Sequence, residues 1–129
     1  MAVKLSEKAI KLIEGKNFGF LAVQLPDGSP MVTPVWVAHD GDLVLVNTIM
    51  GRTKQRQATR GRPVSIAIAD MNNMYDRVII QGRVVEQTHE GADTHIDKLA
   101  NKYTGAKKYE RSSTNEKRVI IKIEPVRII

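Results

Sequence analysis

A short basic segment in the middle of the chain carries the residues best suited to chemistry. It contains Asn47, Thr48, Met50, Gly51, Arg52 and Lys54, directly after an apolar stretch. Gly51 breaks that stretch, and a helix start with free N–H groups, a hydroxyl and two cations would converge on an anion. Arginine can hold a phosphate through two parallel hydrogen bonds, while lysine adds a compact point charge. The segment therefore predicts phosphate binding, and a solvent-exposed helix start is the alternative.

The segment from Thr33 to Trp36 is the second candidate, because it places a proline beside the only tryptophan of the chain. Pro34 has no N–H, so a strand that contains it must lie at a sheet edge or a bulge. The backbone groups of Thr33 and Val35 could then bond a heterocyclic ring. An edge strand with a core tryptophan is the alternative. Together the two segments suit a ligand with a planar ring at one end and a phosphate at the other.

Composition narrows the classes of protein to which the chain can belong. Its 129 residues are 42% hydrophobic and 26% charged, which favours a single soluble domain over residues 1–129. The absence of cysteine excludes disulfides and thiolate chemistry. The histidines (His39, His89 and His95) are well separated and expected at the surface, so no metal site is predicted. With no membrane-length apolar run and no signal peptide, we expect a cytoplasmic protein without a membrane partner.

The net charge of +6 is concentrated around the predicted phosphate site. No acidic residue lies between Asp42 and Asp70, whereas that interval contains Arg52, Lys54, Arg56, Arg60 and Arg62. Arg56 and Arg60 are one helical turn apart and are predicted to share a face. Such a cluster suits a polyanionic cofactor or an RNA backbone, and a solvated surface is the alternative. Because aromatic residues make up only 5% of the chain, too few for a base-stacking platform, we expect no nucleic-acid partner.

Periodicity and turn residues predict a mostly β fold with peripheral helices. The predicted strands are Phe18–Leu25, Met31–Ala38, Leu43–Thr48, Val64–Ala69, Tyr75–Thr88 and Arg118–Ile129. The predicted helices are Ser6–Glu14, Thr53–Arg60 and Ala92–Tyr103, with loops at Asp70–Met74 and Ala106–Glu116. The third strand is apolar on both faces, which predicts burial inside a barrel or at a subunit interface. Gly82 is expected at a bulge or bend. This order of elements fits a six-stranded antiparallel barrel.

Three stretches of the sequence resemble one known family. FGFLAVQLPDGSPMVTPVWVAHDGDLVLVNTIMGRTKQRQATRGRPVSIAIAD is similar to the pyridoxamine 5′-phosphate oxidase-like split β-barrel superfamily. EGADTHIDKLANKYTG and RVIIKIEPVRI resemble its deazaflavin-dependent reductase branch. The resemblance implies a split barrel of the FMN-binding type over about Phe18 to Ile128. The chain departs from the branch at Met71 and Met74, where the branch usually has prolines.

The resemblance also implies a set of site residues. It implies a homodimer with a cleft at the subunit interface for each cofactor, which is coenzyme F420 or FMN. Thr33, Pro34, Val35 and Trp36 would line the ring, Asn47 and Thr48 would contact the ribityl chain or ring edge, and Gly51, Arg52 and Lys54, beside Met50, would hold the phosphate. No catalytic side chain is implied, because the cofactor would carry the reactivity.

The hypothesis that follows is an oxidoreductase that transfers a hydride between F420 and a small organic substrate. The extended basic region favours F420, which has a polyglutamate tail, over FMN. Three alternatives stay open at this point: an FMN-binding oxidoreductase, a non-catalytic F420 carrier or sensor, and an RNA-binding barrel.

Overall fold

Local sequence signals account for most elements of the computed structural model, which describes residues 2–111 and 115–129. The helices are α1 (Glu7–Glu14), α2 (Thr53–Gln57) and α3 (Ala92–Thr104). The strands are β1 (Gly19–Gln24), β2 (Pro30–Val35), β3 (Val37–Asp40), β4 (Leu43–Ile49), β5 (Pro63–Asp70), β6 (Asn73–Thr88) and β7 (Arg118–Ile128). Ser6 begins α1 as predicted, because its hydroxyl accepts the N–H of Ala9 at 3.1 Å. Gly105 ends α3 in the left-handed region, with φ of 79°.

The strands form one antiparallel sheet in the order β2-β1-β5-β6-β7-β4-β3. Its two edge strands, β2 and β3, are consecutive in the chain and are separated only by Trp36. Val35 pairs with Gly19 of β1, whereas Val37 pairs with Val46 of β4. The chain therefore crosses from one edge of the sheet to the other at Trp36, and the sheet curls into a half-barrel. We call this crossing, Val35–Val37, the seam.

The seam explains why the sheet has seven strands rather than the six that the sequence predicted. The predicted strand Met31–Ala38 is divided into β2 and β3. The two halves pair with different strands, β2 with β1 and β3 with β4, so the chain changes partner at Trp36 while keeping its direction. The predicted fold class, a mostly β split barrel with peripheral helices, is confirmed.

Strand β4 is buried on both faces, as predicted, and the two faces have different covers. Val44 and Val46 are fully buried in the barrel core. Leu45 points to the other face and packs with Ala92 of α3 and Ile120 of β7. Helix α3 therefore covers the outer face of β4 within the same chain, and this burial needs no second subunit.

No described helix combines the length and apolar character that crossing a bilayer requires.

Two predicted connections differ from the structure. The segment predicted as a loop, Asp70–Met74, is a tight hairpin in which Asp70 already pairs with Asn73. The carboxylate of Asp70 accepts the N–H of Asn72 at 2.7 Å, which stabilises a turn too short for a loop. Helix α2 ends at Gln57, so Arg60 lies beyond it and the predicted shared helical face does not form. Of the predicted loop Ala106–Glu116, residues 112–114 lie outside the described part of the chain.

Gly82 marks a bend in the sheet, as predicted. The register between β6 and β7 shifts between Gln81 and Gly82, where Gly82 lies opposite Pro125. A Cβ atom at Gly82 would lie 2.6 Å from the carbonyl oxygen of Glu124, so only glycine permits this close approach of two strands.

Tyr103 of α3 fixes the seam to the rest of the molecule. Its hydroxyl donates to the carbonyl of Asn17 at 2.5 Å and accepts the N–H of Val37 at 3.1 Å. Burial raises the pKa of this hydroxyl, so it stays protonated and available as a donor. One side chain thus ties together the approach to β1, the start of β3 and α3.

Lys102 reinforces the same region from the next position along the chain. Its ammonium group donates to the carbonyl of Val37 at 2.9 Å and to the carbonyl of Ile13 in the last turn of α1. Burial lowers the pKa of Lys102 to about 8, and the charge of Glu14 acts in the opposite direction. Two neighbouring residues of α3 therefore bond both backbone groups of Val37, where the chain crosses between the sheet edges.

We predict that Tyr103→Phe destabilises the protein by about 1–3 kcal/mol, because the buried N–H of Val37 and the carbonyl of Asn17 both lose a partner. Urea unfolding followed by circular dichroism measures the effect. Tyr75→Phe is the matched control, since Tyr75 is 88% exposed and the same substitution there should change stability by less than about 0.5 kcal/mol. Equal effects of the two substitutions would contradict the role assigned to the Tyr103 hydroxyl.

Candidate cofactor-binding site

A cleft of about 230 Å³ opens beside the seam, between the barrel and α3. Six residues singled out from the sequence line it: Pro34, Val35, Trp36, Asn47, Arg52 and Lys54. Five other residues also line it: Phe18, Ile96, Leu99, Tyr109 and Arg118. The cleft thus collects side chains from β2, β4, α3 and the turn before α2, which are widely separated in sequence.

One wall of the cleft is aromatic. The rings of Trp36 and Tyr103 stack with centroids 5.2 Å apart and planes 5° apart, and Phe18 stacks on Tyr103 at 5.7 Å. Tyr109 meets Trp36 edge-on at 6.1 Å. Such aromatic pairs contribute about 0.5–1.5 kcal/mol each beyond the area they bury. Because Tyr103 is itself held by hydrogen bonds, the stack presents a flat apolar surface in a fixed orientation.

The cleft is also lined by positively charged side chains. Arg52 and Lys54 reach it from the turn before α2 and from α2 itself. Burial lowers the pKa of Lys54, and the positive charges of Arg52 and Arg118 lower it further. Among the described residues, neither Arg52 nor Lys54 has a hydrogen bond or ion pair from its side chain, and no carboxylate lines the cleft. These cations repel one another, so a bound anion would relieve an existing electrostatic cost.

Arg118 is a third cation that lines the cleft. Its guanidinium bonds Glu116 at 2.6 Å through Nε and lies over the ring of Tyr109, 4.4 Å from the centroid. The Arg118 and Glu116 side chains are only 4% and 2% exposed, so the pair is held in one geometry. Arg118 is largely neutralised by this carboxylate, and the uncompensated charge of the cleft therefore comes from Arg52 and Lys54.

Four of the residues singled out from the sequence do not line this cleft. Thr33 and Gly51 border a neighbouring cavity of about 360 Å³, which Arg52 and Lys54 share with the main cleft. Thr48 is 1% exposed and lies on the face of β4 opposite Asn47, so its side chain points into the barrel. Met50 is 43% exposed and lines neither cavity. The predicted contact of the Thr48 side chain with a cofactor is therefore not supported by this geometry.

Asn47 lines the cleft, but its amide is engaged within the protein. Its Nδ2 donates to the carbonyl of Ala92 at 2.9 Å and to Nδ1 of His95 at 3.0 Å, while Arg118 lies 3.4 Å from its Oδ1. These contacts tie β4 to α3 and β7. We therefore assign Asn47 to the support of Arg118 and α3 rather than to direct contact with the cofactor.

His95 differs from the prediction that it lies at the surface. It bonds Asn47, and its Nε2 is buried without a partner among the described residues. Burial lowers its pKa to about 4, with a smaller contribution from the charge of Lys98. His95 is therefore neutral at physiological pH and is not poised as a general acid or base near pH 7.

The remaining basic residues of the cluster are dispersed. Arg56 approaches the hydroxyl of Thr53 at 3.4 Å. Arg62 approaches the carbonyl of Gln24 at the same distance, on the side of the barrel that faces β1. Arg60 borders an open groove beside Glu86. Arg60 and Arg62 thus do not extend the positive end of the cleft, although they are close to it in sequence.

The lining residues that sequence reasoning missed carried no local signal of a site. Ile96 and Leu99 fall on the apolar face of α3, which the sequence identifies only as a packing face. Tyr109 lies in a polar segment, held to α3 by a bond from its N–H to Asp97 at 2.9 Å. Arg118 reaches the cleft because β7 pairs with β4 in a register that sets Arg118 opposite Ile49. Only long-range pairing brings these side chains to the seam.

Comparisons with known proteins agree with this architecture. The family model described as pyridoxamine 5′-phosphate oxidase matches residues 5–129. The chain belongs to this family. No curated protein matches the sequence.

Solved structures of proteins with different names share this fold. A protein named F420 reductase is 26% identical, with a TM-score of 0.81 over 97% of this chain and 98% of its own. A conserved hypothetical protein from Mycobacterium tuberculosis is 23% identical, with a TM-score of 0.71 over 98% and 84% of the two chains. An FAD and heme binding protein from Mycobacterium smegmatis is 13% identical, with a TM-score of 0.65 over 96% and 68%. The last two likenesses establish the fold alone.

The described part of this family member has no side-chain cluster that would act as a catalytic centre by itself. It contains no group of three or more histidine and carboxylate side chains able to hold a metal ion. The cleft residues are aromatic, aliphatic, amide or cationic. What this set can do chemically is bind a planar, anionic molecule and shield one face of it from water.

We predict that His95 makes the protein less stable as the pH falls. Its pKa is about 4 in the folded state and 6.5 when solvated, so the unfolded chain binds more protons between these values. The contribution is complete above pH 6.5 and lost as the pH falls to 4, with an upper bound of about 3 kcal/mol that residual solvation reduces. Urea unfolding at about pH 7 and about pH 4.5 measures it.

The control is His95→Gln, which should show a smaller loss of stability between the two pH values than the wild type. Carboxylates titrate in both proteins and cancel in the comparison. His39→Gln should not reduce the loss, because the bond to Glu14 raises the pKa of His39 and gives it the opposite pH dependence. Identical pH profiles for the wild type and His95→Gln would show that His95 is not buried in the neutral form.

Proposed function

We propose that this chain binds coenzyme F420 in the cleft at the seam and acts as an oxidoreductase that transfers a hydride between F420 and a small organic substrate. The observation that carries the proposal is the composition of the cleft. The cleft combines a fixed aromatic wall at Trp36 with two cations, Arg52 and Lys54, that have no side-chain partner among the described residues. A planar ring joined to a phosphate is the ligand class that matches both the aromatic wall and the cations.

The residues present fit such a cofactor. Pro34, Val35 and Trp36 would hold the ring, and Arg52 and Lys54 would hold the phosphate. When bound, the deazaflavin supplies or accepts the hydride at its ring. The chain contributes orientation, a dry apolar wall and charge compensation. Because partial burial keeps His95 neutral near pH 7, any proton that accompanies the hydride would come from the substrate, the cofactor or water.

Two observations favour F420 over FMN. A cavity of about 360 Å³ continues past Arg52 and Lys54 along Thr33 and Gly51, which leaves room for an anionic extension beyond one phosphate. The protein named F420 reductase is similar over nearly the whole of both chains. The dispersed positions of Arg60 and Arg62 remove them from this argument. FMN, whose anionic part ends at a phosphate, is the second candidate.

Anaerobic titration with F420 and with FMN, followed by calorimetry and cofactor fluorescence, tests the proposal. Tighter binding of F420 is expected, and tighter binding of FMN would favour the second candidate. Turnover is measured as oxidation of reduced F420 in the presence of an enone, a quinone or a nitroaromatic compound. Binding without oxidation by any of them would favour a non-catalytic carrier or sensor on the same barrel.

We predict that Arg52→Ala and Lys54→Ala each weaken F420 binding by about 1.5–3 kcal/mol, the range for a lost charge-assisted hydrogen bond. Neither side chain has a partner within the described protein, so the fold should be retained. Arg60→Ala is the matched control, because Arg60 borders a different groove and should leave the affinity unchanged. Unchanged binding in Lys54→Ala would remove the phosphate from this end of the cleft.

We also propose that the protein forms a homodimer in which the second copy packs against the β2 edge. Strand β2 pairs only with β1, and Val32 on it is 59% exposed. Phe18, at the adjoining cleft, is 40% exposed. Exposed apolar side chains on an edge strand indicate an interaction surface. A copy placed there would border the cleft, because Pro34 and Val35 belong to the same strand.

We predict that Val32→Arg shifts the mass measured by light scattering from a dimer toward the monomer mass of 14.4 kDa. The substitution is compatible with the folded chain, since the side chain is already exposed. Val3→Arg provides the control: Val3 is also exposed but lies on the N-terminal segment, which pairs with Pro125. A wild-type protein that elutes as a monomer, or a Val32→Arg variant that remains a dimer, would reject the proposed surface.

A further inference from the structure

Helix α2 carries Lys54 into the cleft but is poorly stabilised by its own sequence. It has five residues, none of them buried, and its N-cap residue Arg52 makes no capping bond through its side chain. Isolated helices need about 12–15 residues to be even marginally stable in water. The position of the two cations must therefore be set by contacts between α2 and the rest of the protein.

The C-cap residue Ala58 is fully buried in the barrel core, and a pair of glutamines provides the polar contacts. Nε2 of Gln87, on β6, donates to the carbonyl of Gln55 at 2.8 Å and to the carbonyl of Ala58 at 2.6 Å. Its Oε1 accepts from Nε2 of Gln55 at 3.0 Å. Oε1 of Gln55 in turn accepts the N–H of Gly51 at 3.0 Å. One continuous chain of hydrogen bonds thus runs from β6 through α2 to the turn that holds Arg52.

One of these bonds also engages a backbone group next to the predicted phosphate site. The N–H of Gly51 is already used by Gln55, so Gly51 acts here as a link in the chain of hydrogen bonds. At the other end, two carbonyls of a helix that is too short to use them are satisfied by one amide. The N–H of Gly51 is therefore not available to an anion, and the glutamines contribute to the placement of Arg52 and Lys54.

An irregularity in β6 aims Gln87 at α2. Val78, Ile80 and Val84 face the barrel core, and strict alternation would turn Gln87 outward with the odd-numbered residues. The register shifts between Val84 and Glu86, which is the signature of a bulge. Beyond it, Glu86 is exposed and pairs with Lys122, while Gln87 turns to the side on which α2 lies. Bulges commonly redirect a side chain in this way.

From this geometry we infer that Gln87 is a positioning residue for the anion-binding cation Lys54, acting through Gln55 and α2, with a smaller effect on Arg52 through Gly51. The inference rests on the proposed function, in which these cations hold the phosphate of a cofactor. Gln87 does not line the cleft, so it acts only through α2. An amide is required because the two carbonyls need donors and the Gln55 amide needs an acceptor, and neither a carboxylate nor an aliphatic side chain supplies both.

A double-mutant cycle tests the inference, with F420, FMN and inorganic pyrophosphate as probes in calorimetric titrations. We expect Gln87→Leu to weaken binding of the phosphate-bearing probes about tenfold in the wild-type background and by less than about twofold in a Lys54→Ala background. This loss of effect distinguishes positioning from a general change in stability. Gln81→Leu is the matched control, since Gln81 lies on the exposed side of β6 and should leave binding unchanged.

A second variant covers the case in which Gln87→Leu disturbs the fold. Gln55→Ala removes the link to Gly51 but keeps both bonds from Gln87 to backbone carbonyls. It should weaken binding in the same direction by a smaller factor. Amide hydrogen exchange should become faster in residues 53–58 of Gln87→Leu, while β5 and the first half of β6 keep wild-type protection.

The outcomes separate the inference from the proposed function. If the wild type binds F420 and Lys54→Ala weakens it, but Gln87→Leu binds within about twofold of the wild type, the inference is wrong and the proposed function stands. Additive effects of the two substitutions would likewise overturn it. If the wild type binds only pyrophosphate, and Gln87→Leu weakens that binding only when Lys54 is present, the positioning role stands and the proposed cofactor does not. Binding of none of the probes would overturn both.

Discussion

The chain crosses from one sheet edge to the other within a single residue, Trp36, and this crossing constrains the whole structure. Tyr103 and Lys102 of α3 bond the backbone of Val37, directly after the crossing, and Tyr103 also bonds the carbonyl of Asn17. The same tyrosine ring stacks on Trp36. Closure of the barrel and the flat wall therefore depend on the same side chain, because Tyr103 secures the crossing and also orients the aromatic surface beside it.

The charged end of the cleft is built on a different principle. The apolar wall is supported by packing and by buried hydrogen bonds. Arg52 and Lys54 instead project from a turn and a short helix that contains no fully buried residue. Their charge is left uncompensated by the described residues, while that of Arg118 is matched by Glu116. The cleft thus combines a rigid apolar surface with two cations that repel each other. The glutamines that connect α2 to β6 restrict how far these two cations can move.

The success of sequence-based prediction varied with the range of the interactions involved. The caps of α1 and α3, the buried face of α3 and the bend at Gly82 follow from residues close in sequence, and all were predicted correctly. Errors arose where partners decide. The strand Met31–Ala38 is divided because its halves pair with different strands, and His95 is partly buried because α3 lies across β4. The basic cluster appears continuous in sequence, but the turn after α2 directs Arg60 and Arg62 away from the cleft.

The sequence by itself determined the class of fold, the aromatic residue Trp36 beside Pro34 and the presence of two neighbouring cations at Arg52 and Lys54, because these depend on residue type and local spacing. Only the tertiary structure decided which cations share a cleft and which amides are already engaged. Arg118 joins Lys54 through the register of β7 against β4, and Asn47 is occupied by α3 and Arg118. The physical reason is that charge and hydrogen bonding act over a few ångströms in space, whatever the separation of the residues along the chain.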